Sequence, residues 1–190
     1  VWPSAMLKEP DFFWVASHDG LVKISPSLFT KYKIPEAGDV KDFYAFLETD
    51  DGHFYTGSNR GKLFEKKNGL FSLVFKKPLV PMADLRGLFK DDNGLMWVAS
   101  GYQGLVLLQQ NRQQLFTETD GLHDNSLGSF LKTSDGRLFV IGDAGLTQVI
   151  TKNNEVQFKA WHFTPNTTQY GKFFSGIEGP DGTVWIGGEE

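Results

Sequence analysis

The sequence contains no cysteine, which excludes thiol nucleophiles, disulfide frameworks and cysteine-ligated metals together. It has no long apolar run, since stretches such as LVLL at 105–108 are far too short to cross a bilayer. The opening VWPSAMLKEP is not a basic segment followed by an apolar one, so no targeting peptide is visible. No charge sign dominates: 19 Lys and Arg stand against 23 Asp and Glu, a net charge of −4. The two signs are interspersed, which argues against a nucleic-acid surface. Capped amphipathic helical spacing is also missing. The four histidines, at 18, 53, 123 and 162, show no H-E-x-x-H spacing, and neither G-x-S-x-G nor a P-loop occurs. Motifs therefore assign no catalytic residue, no metal and no cofactor.

What the chain does have is aromatic and glycine content. Its 190 residues are 40% hydrophobic and 14% aromatic, with 17 Phe and 21 Gly, a globular composition that predicts short strands and tight turns. Five stretches share one pattern of turn, aromatic, small-residue cluster and glycine: PDFFWVASHDGLVKI, DDGHFYTGSNRGKLF, DNGLMWVASGYQGLVLL, SDGRLFVIGDAGLTQV and PDGTVWIGGEE. The aromatics are Trp14, Tyr55, Trp97, Phe139 and Trp185, spaced by 41, 42, 42 and 46 residues. A second glycine follows at Gly20, Gly61, Gly104 and Gly145. A fixed period of this length marks a repeat architecture.

One unit can be read strand by strand. LGSFLKT (127–133) alternates as a half-buried strand, and Ser134-Asp135-Gly136 is expected to make a two-residue hairpin turn. RLFVIG (137–142), LTQVI (146–150) and EVQFKAWHF (155–163) complete the unit. Four antiparallel strands in about 42 residues is the size of a β-propeller blade, so the expected fold is all-β. Blades are placed at 1–35, 40–80, 83–119 and 125–165, with SAMLKE (4–9) as the first opening strand and a half blade at 172–188. Four and a half blades do not close neatly, which favours part of a larger, seven-bladed type of propeller over a compact five-bladed one. The aromatics are expected to fill the gaps between sheets, and Asp51, Asp92, Asp135 and Asp181 to stabilise the hairpins by accepting backbone N–H groups. The closing GGEE contains the core of the diguanylate cyclase signature loop. Aligned with WVAS, YTGS, WVAS and FVIG, WIGG is instead a blade strand.

These residues resemble the two-component regulator propeller repeat. The likeness is strongest from Asp92-Asn93-Gly94 to Leu105, from Asp135-Gly136 to Leu146 and from Asp181-Gly182 to Gly187, and TETDGLHDNSLGSF (117–130) looks like the family's inter-blade linker. Pro10-Asp11 in the first turn, and Tyr55 and Phe139 in place of Trp, depart from the pattern. The resemblance implies the periplasmic sensor region of a bacterial receptor, followed by a membrane helix and a kinase, hybrid kinase-regulator or diguanylate cyclase. It also implies a small-molecule ligand, a carbohydrate fragment in several members, and signalling through a homodimer of the full-length receptor. No nucleic-acid partner and no membrane contact by this segment are expected.

Loops after the second strand and loops between blades emerge at one end of a blade, and ligands of propellers gather there. The candidate ligand residues are Tyr102, Gln103, Arg60, His18, His123 and Asp124, an aromatic platform beside hydrogen-bonding groups. Tyr102 leads them because its loop is one residue longer than its counterparts. A solvated-turn role is the plain alternative for each. Two other classes stay open: a propeller hydrolase or lyase using converging carboxylates among Asp19, Asp39, Asp84, Asp124 and Asp143, and a protein-interaction scaffold. Asn166-Thr167-Thr168 matches a glycosylation sequon, which carries no such meaning in a bacterial chain.

Overall fold

The computed structural model describes residues 3–17, 20–25, 29–32, 34–109, 112–152, 155–161 and 172–189. Among them there is no α-helix, only three single-turn 3-10 segments at Pro35–Ala37, Asn59–Gly61 and Glu118–Asp120. The chain divides into two compact units, Val1–Met96 and Trp97–Glu190. In the first unit, β1 (Pro3–Lys8), β2 (Phe13–Ser17), β3 (Gly20–Ile24) and β4 (Phe29–Tyr32) form sheet one. Next come β5 (Phe43–Glu48), β6 (Phe54–Ser58), β7 (Leu63–Lys67) and β8 (Leu70–Leu73) as sheet two, then β9 (Leu85–Lys90). Sheet three is completed by β10 (Met96–Ser100), β11 (Gly104–Gln109) and β12 (Arg112–Phe116). The second unit continues with sheet four, β13 (Leu127–Lys132), β14 (Leu138–Gly142), β15 (Leu146–Lys152) and β16 (Glu155–Trp161). Sheet five pairs β17 (Phe173–Glu178) with β18 (Val184–Gly188). Strands adjacent in sequence are adjacent in every sheet, so each is an antiparallel meander.

The register slips by one residue at the same place in four sheets, between Pro3 and Ala5, Phe43 and Ala45, Leu127 and Ser129, and Phe173 and Ser175. A bulge at this point adds local twist, and it repeats because the strand pattern repeats. The turns are longer than the two residues expected. Lys132 pairs with Leu138, leaving five residues between the strands, and the Thr133 N–H donates to the Arg137 carbonyl at 2.9 Å while Gly136 N–H donates back to Thr133. Only the glycine has a left-handed backbone, at φ 80, 76, 85 and 80 for Gly52, Gly94, Gly136 and Gly182. This is a turn followed by one left-handed residue, so the positive angle needs Gly alone and the Asp is freed for side-chain bonding.

That alignment corrects one anchor. Thr49-Asp50-Asp51-Gly52, Asp91-Asp92-Asn93-Gly94 and Thr133-Ser134-Asp135-Gly136 superpose by hydrogen bonding, so Asn93, not Asp92, stands where Asp51 and Asp135 stand. In this copy the acceptor has moved to the first position: Asp91 Oδ1 takes the N–H groups of Asn93 (2.9 Å) and Leu95 (3.0 Å). Asp135 accepts the Arg137 N–H as well as the Thr133 hydroxyl, and Asp181 accepts the Thr183 N–H. Asp51 departs from the expected role, since its donors are side chains, the Thr49 hydroxyl and the Lys90 ammonium.

Aromatic packing joins sheet one to sheet two. Trp14, 0% exposed, lies 5.2 Å from the Phe54 ring and 6.3 Å, edge-on, from Phe71. Its indole N–H is satisfied by Glu9 Oε1 at 2.8 Å, and the Lys66 ammonium sits 4.6 Å over its ring. Trp97 is equally buried, and Phe139 joins Leu131, Ile141 and Leu146 against Phe173, Val184 and Ile186 of sheet five. Two anchors do not fill a gap as expected. Tyr55 is half-buried because it serves a polar cluster: its hydroxyl donates to Glu65 at 3.2 Å, beside His53 and Lys67. Burial and then the Glu65 charge push its pKa up to about 12. Trp185 is 66% exposed, because no sheet among the described residues covers its face of sheet five.

The repeated second glycine is explained by close approach. A Cβ on Gly61 would lie 1.9 Å from the Val80 carbonyl oxygen, and one on Gly104 2.1 Å from that of Phe116. The chain delivering the next sheet runs directly against these positions.

Two outcomes follow. Trp14→Ala is expected to cost about 3–5 kcal/mol in denaturant unfolding, whereas Trp185→Ala stays within about 0.5 kcal/mol; equal losses would show that exposure does not separate the two sites. Asp51 is expected to titrate near 2 by carbon NMR, held down first by the Thr49 hydroxyl and then by Lys90. Because its folded value is depressed, its contribution to stability is present above its ordinary value of 3.8 and is lost as pH falls towards about 2. Thr49→Val should move that midpoint back upward.

Candidate functional site

Among the described residues, the loop after β6 in the first unit, and the loops after β10 and β14 in the second, each form a polar cluster with the loops that enter a sheet. In the second unit the cluster centres on Ser126, just ahead of β13. Its hydroxyl reaches the Gly101 carbonyl at 2.7 Å and Asp143 Oδ2 at 2.8 Å, while the Asp143 N–H donates to the Ser126 carbonyl at 2.9 Å. The carboxylate of Asp124 accepts the N–H groups of Ser126 (2.6 Å) and Ala144 (2.9 Å). The His123 N–H donates to the Thr147 hydroxyl at 2.9 Å, and its ring lies against Gly145, where a Cβ would be 3.0 Å away. Asn125 is held from both sides: its carbonyl accepts the Gly104 N–H, and it exchanges two hydrogen bonds with Glu118.

This network places four of the six candidate ligand residues together. Gln103 is anchored by its N–H donating to the Ser100 hydroxyl at 2.9 Å. Tyr102 stands at the tip of the same loop, 63% exposed. Two residues separate Ser58 from Gly61 and Gly142 from Gly145, but three separate Ser100 from Gly104, so the extra residue carries the ring. His123 and Asp124 lie in the neighbouring loop, tied to the Tyr102 loop through Ser126 and Asn125. Burial pushes the Asp124 pKa up, outweighing its two backbone donors, and the Asp143 charge adds to the rise.

Arg60 belongs to the first unit's cluster. It adopts φ 60, a left-handed backbone that a non-glycine residue takes at a cost of about 1–2 kcal/mol. Its Nε lies 3.1 Å from Asp39 Oδ2, and the Lys62 ammonium is held by the Ala37 carbonyl at 2.9 Å. Lys62 first, and then Arg60, keep the Asp39 carboxyl below its ordinary value. Beside them Asn59 donates to Asp42 through both backbone and side chain, at 3.0 Å each. His18, Asp19 and the loop from Asn166 to Tyr170 lie outside the described residues.

Sequence reasoning passed over Asp42 and Ser126, although the repeat contained the signal. Asp42, Asp84 and Ser126 fall 42 residues apart, as do Asn59, Gly101 and Asp143. Asp42 with Asn59, and Ser126 with Asp143, clasp the start of a sheet to the loop after its second strand. Four of the five carboxylates weighed for catalysis are engaged in structure. Asp124 and Asp143 hold loop backbone and side chain, Asp39 holds two cations, and Asp84 lies 3.7 Å from Arg86 with its pKa raised chiefly by burial. At the opposite end of sheet two, a groove of about 280 Å³ is lined by Thr49, Asp50, Asp51, Lys90, Asp91 and Asp92. Lys90 already spans it to Asp51 at 2.9 Å. Among the described residues no three acidic or histidine side chains are placed to hold a metal, and no helix is long and apolar enough to cross a membrane.

No known family pattern and no curated protein matches the chain. Solved structures do. The extracellular domain of BT3049 from B. thetaiotaomicron, described as part of a hybrid two component system, matches 98% of this chain at 16% identity and a TM-score of 0.75. That of BT4673 from the same organism matches 98% at 20% identity and a TM-score of 0.76. The fold is that of β-propeller blades. Virginiamycin B lyase from Staphylococcus aureus has it too, matching 97% at 14% identity and a TM-score of 0.75. The chain spans about a quarter of the two extracellular domains, 26% and 25%, and 62% of the lyase. These sheets share the strand arrangement of propeller blades.

The titrations of this cluster separate its parts. Asp124 is expected to titrate above 3.8 and Asp39 below it in a carbon NMR series. With its folded value raised, Asp124 favours the fold at acid pH and loses that contribution as pH rises through its folded value. The depressed Asp39 does the reverse. Matching midpoints for the two would show that Asp124 is not held in the clasp.

Proposed function

We propose that this chain is a non-catalytic, ligand-sensing segment of an extracytoplasmic receptor region in a bacterial signal-transduction protein. The observation that carries this reading is the match of 98% of the chain to two extracellular domains described as belonging to such systems. The loop cluster supports it: an exposed tyrosine lies on a loop tied to a set of hydroxyl and carboxylate groups, the kinds of group that sugar rings and their hydroxyls use. The ligand class is a small polar molecule, with an oligosaccharide fragment preferred. The location is the periplasm, and occupancy is passed on through a homodimer of the full-length receptor. The balanced net charge of −4 fits neither nucleic acid nor an anionic membrane surface as partner.

A second reading rests on the lyase match, in which this chain spans a larger share of the neighbour. Under it, a base and an acid at the loop end perform an elimination. The engaged state of Asp39, Asp124 and Asp143 weighs against this, since each already holds its own loops.

Titration of the protein with a panel of oligosaccharide fragments, followed by calorimetry and by the Tyr102 ring signals in NMR, tests the first reading. Tyr102→Ala is expected to weaken binding about tenfold or more while leaving the melting temperature unchanged. A collapse of stability would make Tyr102 a packing residue and remove the site. Turnover of a glycoside, an ester or a streptogramin B, abolished by Asp124→Asn or Asp143→Asn, would replace the sensor with an enzyme.

A further inference from the structure

We propose, resting on the ligand-sensing reading above, that Arg60 and Met82 form a second ligand contact, in the first unit, for an anionic unit of an oligosaccharide. The Arg60 guanidinium takes the carboxylate or sulfate group of that unit. The Met82 side chain takes the carbon face of its ring.

The backbone singles these two residues out. Three non-glycine residues among those described have a left-handed backbone: Arg60 at φ 60, Asn68 at φ 51 and Met82 at φ 65. Asn68 is accounted for by its place, ahead of Gly69 in the two-residue turn between Lys67 and Leu70, where asparagine is favoured. Arginine and methionine have no such preference. Met82 follows Pro81 in a turn closed by the Ala83 N–H on the Val80 carbonyl at 3.2 Å. It therefore fills the third position of a type II turn, where glycine belongs. Its side chain is 75% exposed, so it adds little to any core. The exposed ion pair of Arg60 with Asp39 offsets little of the backbone cost. Strain that the fold does not reward gathers at ligand-binding positions.

The two strained residues are also neighbours in space. The Gly61 N–H donates to the Ala83 carbonyl at 2.6 Å, and the Leu79 N–H donates to the Gly61 carbonyl at 2.8 Å. These bonds lay the turn that carries Met82 against the loop that carries Arg60. The two loops join internal strands, β6 to β7 and β8 to β9.

The side-chain chemistry selects the ligand. Asp39 meets Arg60 at Nε, 3.1 Å away, and the terminal amino groups of the guanidinium remain as donors. They present a planar edge that suits the paired oxygens of a carboxylate or sulfate. Lys62 faces the same Asp39 carboxylate at 3.4 Å, so two cations share one anion and a positive charge is left over. The Asp42 carboxylate beside them is taken by the Asn59 amide at 3.0 Å. The unbranched thioether of Met82 adapts readily to an apolar ring face.

Calorimetry of the whole chain tests this with uronic-acid oligosaccharides, with sulfated oligosaccharides, and with their carboxyl-reduced and desulfated counterparts. The pairs also show which anion is taken. At least one acidic fragment is expected to bind about tenfold or more tightly than its neutral counterpart. Arg60→Gln is expected to abolish that preference, and Arg60→Lys to keep only part of it, because an ammonium lacks the planar fork. Met82→Gly is expected to weaken binding of the acidic fragment while raising the melting temperature by about 2 °C, since glycine adopts the left-handed backbone freely. A methionine kept for the fold would shift stability the other way. The proposal is overturned if no acidic fragment is preferred, if the preference survives in Arg60→Gln, or if Met82→Gly leaves the melting temperature unchanged or lower. Neutral fragments whose binding is lost in Tyr102→Ala and untouched in Arg60→Gln and Met82→Gly would overturn it and leave the sensor reading standing. Absence of binding by every fragment removes both.

Discussion

A four-stranded sheet has two faces and can cover neither by itself, and this constraint organises the molecule. Trp14 is buried because Phe54 and Phe71 of the next sheet meet it. Phe139 is buried because Val184 and Ile186 come to it. Each sheet is therefore stable through its neighbour, in the manner of repeat proteins. Several other features follow from the same demand. Small residues after the aromatic let the strands approach, as at Gly57, where a Cβ would stand 2.8 Å from that of Leu85. Gly61 and Gly104 leave room for the connecting chain.

What a single sequence displays is the part of this logic that repeats. The aromatic period and the recurring glycines were enough to reach the blade and its strand order, because both are imposed once per sheet by the same packing. Chemistry that is shared between alternative positions was harder to read. The turn in sheet three uses Asp91 where its relatives use Thr49 and Thr133, and Asn93 where they use Asp51 and Asp135. A pattern anchored on aspartate thus slips by one residue. Tyr55 has the register of Trp14 but a different neighbourhood, since Glu65 on the adjoining strand turns its hydroxyl into a partner. Burial at that position depends on which residue faces it, and one strand's letters do not contain that.

The loop cluster shows the same division. Tyr102 was visible because its loop is longer than the others, a difference in count. Ser126 and Asp42 were not, because their importance lies in contacts with residues 17 positions away, Asp143 and Asn59. Long-range pairs of polar side chains leave no local periodicity. They appear only when two series with the same spacing are laid side by side.

The clasps between the start of a sheet and the loop after its second strand have a consequence for how such a protein changes over time. In each pair the holding residues, Asp42 with Asn59 and Ser126 with Asp143, are distinct from the residue at the loop tip, Arg60 or Ala144. The frame and the fingertip are encoded separately. Arginine and alanine occupy the place before the second glycine in these two copies, while the holding pairs keep the same spacing. A lineage can therefore exchange what its loops touch, one copy at a time, without having to find a new way to fold.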